Sequence, residues 1–256
     1  MKLTFNTKLA EDYRSPSQKA RILTEAWVGD SIFCPNCGYI DLGKYENNKP
    51  VGDFYCQNCN EDYELKSKRD SMGNKIVDGA YHTMLDRLAS SSNPNFFLLN
   101  YNLVSLEVVN FLVIPKHFFV PKIIEKRKPL TSTARRAGWI GCNILLQGIP
   151  STGKIFFVKN KQVKPKEKVL AEWKKTLFLR EEKEVSTKGW MLDVMRCVER
   201  LARKEFSLDD IYMFESELSK LYPENKHIKD KMRQQLQVLR DKGYLEFLGK
   251  GIYRLS

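Results

Sequence analysis

Histidine is scarce in this sequence. The 256 residues hold three, His82, His117 and His227, none spaced as close metal ligands and none beside an obvious nucleophile. Histidine-based chemistry is therefore not expected. Long apolar runs are missing too. The most apolar stretch, NFFLLNYNLVSLEVVNFLVIP at 95–115, is broken by Asn and Glu and falls short of the roughly 20 apolar residues a membrane helix needs. The opening MKLTFNTKLAEDYRS carries acids early and has no sustained apolar core, so no signal peptide is expected. These absences point to a soluble, cytoplasmic chain with no membrane partner. No low-complexity tract dominates, and 42% apolar with 11% aromatic residues suffice for a core. Acidic residues are outnumbered, 31 against 43 Lys and Arg, for a net charge of +12. That excess favours a polyanion as partner, with nucleic acid ahead of membrane.

Cysteine is present but not in a form that suggests disulfides. A cytosolic chain with six cysteines points to metal or free thiols. Cys34-Pro-Asn-Cys37 and Cys56-Gln-Asn-Cys59 are separated by 18 residues, within the spacing of four-thiolate zinc sites. Gly38 and Asn60 follow the two pairs, and both tolerate the left-handed turn that such knuckles need. Four thiolates leave no open coordination position, so the Zn²⁺ expected here is structural. Cys142 and Cys197 read as small buried hydrophobes.

The pattern of periodicities divides the chain near residue 182. Residues 16–29 read as a helix, with Ser15 or Ser17 as cap. Residues 74–89 read as a second helix, with Tyr81, Met84, Leu85 and Leu88 on one side. FFLLNY at 96–101, VVNFLVI at 108–114 and KIFFVK at 154–159 read as strands. Residues 1–182 are thus expected to form an α/β (α+β) domain. Residues 183–256 carry helical patterns at 191–201, 207–222 and 226–243, then two short strand signals around Gly249-Lys250-Gly251. Three helices followed by a Gly-rich hairpin is the order of a winged helix-turn-helix. Gly148-Ile-Pro-Ser-Thr-Gly153-Lys154 begins like a phosphate-binding loop, but Ile155 stands where Ser or Thr is needed and a strand pattern follows. It reads as a turn.

Carboxylates flank the second cysteine pair. Asp53 precedes it and Glu64-Leu65-Lys66 follows. If 51–55 and 62–67 are antiparallel strands, the zinc knuckle is the turn between them, and Glu64 and Lys66 share a face while Leu65 points to a core. Asp53 and Glu64, with the Leu65 main-chain carbonyl, could then hold Mg²⁺ in one cleft. Lys66 could orient a water or neutralise charge that develops at phosphorus. A solvated charged hairpin is the plainer alternative.

Pro50-Val51-Gly52-Asp53 … Glu64-Leu65-Lys66 is similar to the PD-(D/E)XK nuclease signature. SQKARILTE at 17–25, FYCQNC, ELKSK, NPNFF at 93–97, RKPL, TARRAGWIGCNI at 133–144 and HIKDKMRQQLQVLRDK carry the likeness further. Together they resemble DpnI-like methyl-directed (type IIM) restriction endonucleases over nearly the whole chain. The resemblance implies Mg²⁺-dependent cleavage of double-stranded DNA at GATC sites carrying N6-methyladenine. It also implies a PD-(D/E)XK domain with a zinc site, a C-terminal winged helix, and target reading by both. By motif match Asp53, Glu64 and Lys66 take the catalytic roles, and Cys34, Cys37, Cys56 and Cys59 the zinc. One departure is Gly52, which stands where the signature has proline.

The N6-methyl group is apolar and projects into the major groove, so its reader needs an apolar surface there. TSTARRAGWIG at 131–141 could supply one, with Arg135 and Arg136 for phosphate or guanine edges, Gly138 and Gly141 for close approach, and Trp139 for a flat face. The resemblance places this Trp in the methyl-reading region. An ordinary half-buried core aromatic is the alternative. In the winged helix, Ile228, Met232, Leu236 and Leu239 form the expected buried stripe, with Asp230, Arg233, Gln234 and Gln237 on or near the other face. Gln can bond adenine and Arg guanine bidentately. Lys250 at the wing tip is expected to meet a phosphate. Residues 220–256 carry a net +5 against +3 for 183–256, so charge gathers on the expected DNA side. No obligatory protein partner is expected, and a monomer suffices. Two competing readings remain open on residues alone: a non-enzymatic zinc and winged-helix DNA-binding regulator, and a nuclease of the same fold with another modification preference.

Overall fold

Asn95–Tyr101 is buried at every position, and this one strand organises the first two-thirds of the chain. The computed structural model describes residues 1–46, 52–90 and 92–256. Pro50 and Val51 of the nuclease-like signature lie outside these residues. The chain divides into two compact units, one of residues 1–147 and 152–176, the other of 148–151 and 177–256. Among the described residues no helix is long and apolar enough to cross a membrane.

In chain order the first unit holds α1 (Pro16–Ser31), β1 (Leu42–Lys44), β2 (Phe54–Cys56), β3 (Asp62–Arg69), β4 (Lys75–Ala80), α2 (Tyr81–Ala89), β5 (Asn95–Tyr101), β6 (Val108–Ile114), β7 (Ile124–Lys126), β8 (Gly141–Leu145), β9 (Ile155–Lys159), β10 (Gln162–Val163) and α3 (Lys166–Lys174). A seven-stranded sheet has the order β1-β2-β3-β5-β6-β9-β10, and β4-β8-β7 form a second sheet. Among the described residues only β3 and β5 run parallel in the large sheet, with Tyr63 opposite Asn95 and Arg69 opposite Tyr101. Parallel neighbours need a crossover, and β4 with α2 supplies it. β5 sits between β3 and β6 with both faces covered, which is why its sequence shows no polar alternation. Aromatic rings fill the core around it. Tyr63 stacks on Phe97 with centroids 4.4 Å apart, and Phe111 meets both Phe97 at 5.1 Å and Trp27 at 5.4 Å.

The expected helix over 74–89 is half strand. β4 alternates buried Ile76 and Asp78 with exposed Lys75, Val77 and Gly79, and pairs antiparallel with β8. The helix begins only at Tyr81, and the face with Met84 turns inward. Pairing to a strand distant in sequence overrode a local pattern that fitted either period.

The second unit holds α4 (Phe178–Glu181), α5 (Val185–Arg200), β11 (Glu205–Ser207), α6 (Leu208–Tyr212), α7 (Glu215–Leu221), α8 (Ile228–Asp241), β12 (Leu245–Gly249) and β13 (Ile252–Leu255). Its sheet order is β11-β13-β12. After α4, the remaining order of helix, strand, three helices and a hairpin is a winged helix-turn-helix. The expected single helix over 207–222 is broken into α6 and α7. Ser207 caps α6 in a reciprocal box: its Oγ accepts from the Asp210 amide at 3.2 Å, and the Asp210 carboxylate accepts from the Ser207 amide at 2.7 Å. Ile228, Met232, Leu236 and Leu239 are buried as the spacing predicts, and Gln235 joins them. Leu146–Gly148 and Ser151–Gly153 form two tight turns before β9, and a strand follows at Ile155 where a phosphate-binding loop requires a helix.

Candidate active site and metal-ligand clusters

The hairpin of β2 and β3 joins two clusters of metal-ligand residues. Phe54 faces Tyr63 and Tyr55 faces Asp62, and the Cys56–Cys59 knuckle is the turn between the strands. Within that knuckle the Asn60 amide donates to the Cys56 carbonyl at 2.9 Å, with Asn60 at φ 57°. The first knuckle repeats the design: the Gly38 amide donates to the Cys34 carbonyl at 2.8 Å, with Gly38 at φ 79°. Both turns thus use the left-handed conformation anticipated for those two residues.

The four knuckle sulfurs all lie within 4.8 Å of one another. Cys34 and Cys59 approach to 3.5 Å, as do Cys37 and Cys56. A tetrahedral zinc with Zn–S bonds of about 2.3 Å would hold its sulfurs about 3.8 Å apart, so the cluster has the ligands and the spacing for zinc. The Tyr63 hydroxyl lies 3.1 Å from Cys34 Sγ, which ties the cluster to the core ring stacked on Phe97. Burial pushes the Cys34 thiol well up, as expected of a sulfur in an apolar wall. At exposed Cys37 burial also opposes ionisation, but hydrogen bonds from Asn58, Tyr39 and Cys56 outweigh it and lower the thiol to about 7.

Beyond the cluster, β3 meets Asp53. The Asp53 amide donates to the Tyr63 carbonyl at 2.9 Å, and the Asp53 carboxylate accepts from the Leu65 amide at 2.6 Å. Both groups of Leu65 lie on the same edge of a strand, so its carbonyl points past Asp53 into the open. Asp53 and Leu65 line a cleft of about 320 Å³ that α1 roofs with Arg21, Thr24 and Glu25. Leu65 is half-buried on this cleft rather than sunk in a core, because the strand is uncovered beyond β2. Burial raises the Asp53 carboxyl above its usual range; the Leu65 amide opposes this, and the charges of Glu64 and Glu25 add to it. A cation against Asp53 would relieve that cost, but Glu64 does not line this cleft, so the single cleft expected for the two acids is not formed here. Only by turning to the strand edge would Glu64 join Asp53 and the Leu65 carbonyl in the hard oxygen set that suits Mg²⁺.

The Glu64 and Lys66 side chains are engaged on the opposite face of β3. Lys66 Nζ lies 2.5 Å from Glu64 Oε1 and 2.5 Å from Asp78 Oδ1, and Arg87 on α2 reaches Glu64 Oε2 at 3.3 Å. Burial works against the Lys66 ammonium, yet Glu64 and Asp78 outweigh it and hold the amine well above its ordinary range. Lys66 is therefore a stable cation and a poor general base in this state. Three groups near the site were not anticipated from the sequence: Asp78, Arg87 and Glu25. Asp78 was hidden by the helical pattern of its strand. Arg87 arrives from a helix with no motif around it, and Glu25 ends SQKARILTE, a string that carried the likeness but was given no role. Glu25 carried one usable signal, an acid among Leu23, Trp27 and Val28 of its helix, where it is buried and lies 2.7 Å from Lys44.

The residues expected to face DNA fall in two places. Arg135 and Arg136 are exposed on the segment between β7 and β8, and Gly138 takes φ 79°. Trp139 is half-buried. The Arg136 guanidinium lies 4.6 Å from its ring centroid, and its ring edge passes so close over Gly141 that any side chain there would collide with it. In the second unit Arg233, Gln234 and Gln237 are exposed on α8, as is Asp230. Lys250, exposed at φ 48°, forms the hairpin tip with Gly249 and Gly251.

A family model described as DpnI, the Dam-replacing family, matches residues 1–182. A second, described as the Dam-replacing HTH domain, matches residues 186–255.

Proposed function

We propose, from the premise that the chain belongs to the DpnI, Dam-replacing family, that it is a type II, methyl-directed restriction endonuclease which hydrolyses double-stranded DNA at GATC sites carrying N6-methyladenine. Residues 1–182 would carry the nuclease and 183–256 a DNA-binding winged helix. One observation supports the chemistry above the others: Asp53, bonded to the Leu65 amide, stands at the edge of the strand that presents Glu64 and Lys66.

Asp53, Glu64 and the Leu65 carbonyl would hold Mg²⁺. When bound, that ion supplies positive charge against a phosphate and makes a nearby water acidic enough to attack. The chain's own groups do the rest. Asp53 is oriented by its bond to the Leu65 amide, so it need not be ordered when substrate arrives. Lys66 remains a cation, which suits orienting the water through a donated hydrogen bond and offsetting charge as phosphorus becomes five-coordinate. Zinc at Cys34, Cys37, Cys56 and Cys59 would keep the hairpin in register and take no part in the chemistry.

Both units supply readers in this proposal. Trp139 would meet the methyl group, with Arg135 and Arg136 on phosphates or guanine edges. Arg233, Gln234 and Gln237 would read the major groove and Lys250 a phosphate. One chain without a protein partner suffices.

The test is a digest of one GATC-containing plasmid, adenine-methylated and unmethylated, with Mg²⁺ and with Asp53→Ala as control. Cleavage of the methylated form alone, lost in the variant, is the expected result. Cleavage of both forms would keep the nuclease and remove methyl direction. Tight DNA binding without cleavage would favour a regulator.

A further inference from the structure

Glu64 has two oxygens, and both are taken by cations of the protein. Oε1 faces Lys66 Nζ at 2.5 Å and Oε2 faces Arg87 at 3.3 Å. A carboxylate that turns to a metal ion must loosen at least one of these contacts. If Glu64 were the only partner of Lys66, the lysine would be released when it is needed. Asp78 removes that conflict. It lies on β4, in a different sheet from Glu64, and its carboxylate is 2.5 Å from the same ammonium. Its side chain is only 5% exposed, whereas that of Lys66 keeps 22%, so the acid is fixed within the fold and the ammonium still has an open side. The backbone around it is shaped for the contact: the β4–β8 register shifts between Asp78 and Ala80, a bulge of the kind that re-aims side chains beside active sites.

Stability alone is a poor reason for this arrangement. A buried acid and a half-buried ammonium lose hydration that their attraction seldom repays, and apolar residues of similar volume often pack as well. The neighbours also leave Asp78 as the anchor independent of the proposed ion. Cys142 on β8 lies across from Asp78, and Phe96 on β5 lies 6.0 Å from the ammonium. Arg87 is a like charge. Asp53 and Glu64 belong to the proposed ion.

We infer that Asp78 is the positioning residue of Lys66: it holds the ammonium beside the reacting phosphate while Glu64 turns to the cation. This rests on the role proposed above for Lys66.

The test has a metal-free arm and a catalytic arm. An ammonium held by fixed carboxylates exchanges its protons slowly enough to give an Nζ–Hζ correlation by nuclear magnetic resonance. In metal-free protein that signal, assigned by its absence in Lys66→Met, is expected in wild type and in Glu64→Gln and lost in Asp78→Asn. In the catalytic arm Asp78→Asn is expected to lower single-turnover cleavage of methylated DNA by about tenfold or more. Its DNA affinity in EDTA should stay within about twofold of wild type. Asp78→Glu should recover part of the rate. A signal that survives Asp78→Asn but not Glu64→Gln would overturn the inference. So would wild-type cleavage by Asp78→Asn, or a variant whose melting temperature and DNA binding fall together with its rate. If Lys66→Met cleaves normally, the role given to Lys66 fails, while the resonance arm still decides whether Asp78 holds it.

Discussion

The two ends of the β2–β3 hairpin solve opposite problems. At the turn, four soft thiolates close on one another, with two of them buried and the Tyr63 hydroxyl behind. At the open end hard oxygens face a cleft, burial raises the Asp53 carboxyl, and cations of the protein hold Glu64. The first end could fill every position of a tetrahedral ion from within the chain and suits a part that must not move. The second has charges left in tension and suits a part that must accept a ligand. A short strand connects them, so rigidity made at the thiolate end is delivered to the carboxylate end.

The comparison breaks most completely if the thiolate end does not hold the hairpin. Cys56→Ala is expected to lose zinc and to lower the melting temperature by roughly 10 °C or more, with DNA cleavage lost as a consequence. Metal analysis with a thermal melt checks this, and an unchanged melt would sink the structural role of the cluster. Asp53→Ala acts at the other end and should show the converse pattern. Cleavage is expected to fall by about a thousandfold or more while zinc content and DNA binding persist. A folded Asp53→Ala protein that no longer bound DNA would contradict the role assigned to it.

Smaller effects sharpen the contrast between holding DNA and acting on it. Trp139→Ala is expected to reduce the preference for methylated over unmethylated DNA by about tenfold, measured as a ratio of cleavage rates. An unchanged ratio would return Trp139 to a packing role beside Gly141 and Arg136. Lys250→Ala should weaken binding a few-fold and lower the salt dependence, the slope of log K against log salt, by about one. Cleavage of bound DNA should be nearly unaffected.

How much of this was legible in the sequence depends on the distance over which each feature is made. The knuckles are local, so Cys-x-x-Cys with Gly38 or Asn60 behind it can be read directly, and the structure gathers all four sulfurs. The Asp53 and Glu64 hairpin was legible for the same reason: a short turn fixes which residues face each other. The winged helix was legible from its order of elements, although the break between α6 and α7 was not, because Met213-Phe214 carries no Pro or Gly to mark it. Asp78 was illegible. In 74–89 apolar residues sit where either a helix or a strand could use them, and only β8 decides between the two.

The sequence by itself therefore determined the chemistry available: four thiolates at zinc spacing, two acids and a lysine on one hairpin, an excess of positive charge, and a family signature in each half. Tertiary structure decided how those groups are engaged. It set Asp53 and Glu25 on one cleft, turned Glu64 and Lys66 to the other face, and brought Asp78 and Arg87 to them. The physical reason is that hydrogen bonds within a hairpin are specified by neighbours in the chain. Contacts between sheets depend instead on which distant strand pairs with which, and no local pattern encodes that choice.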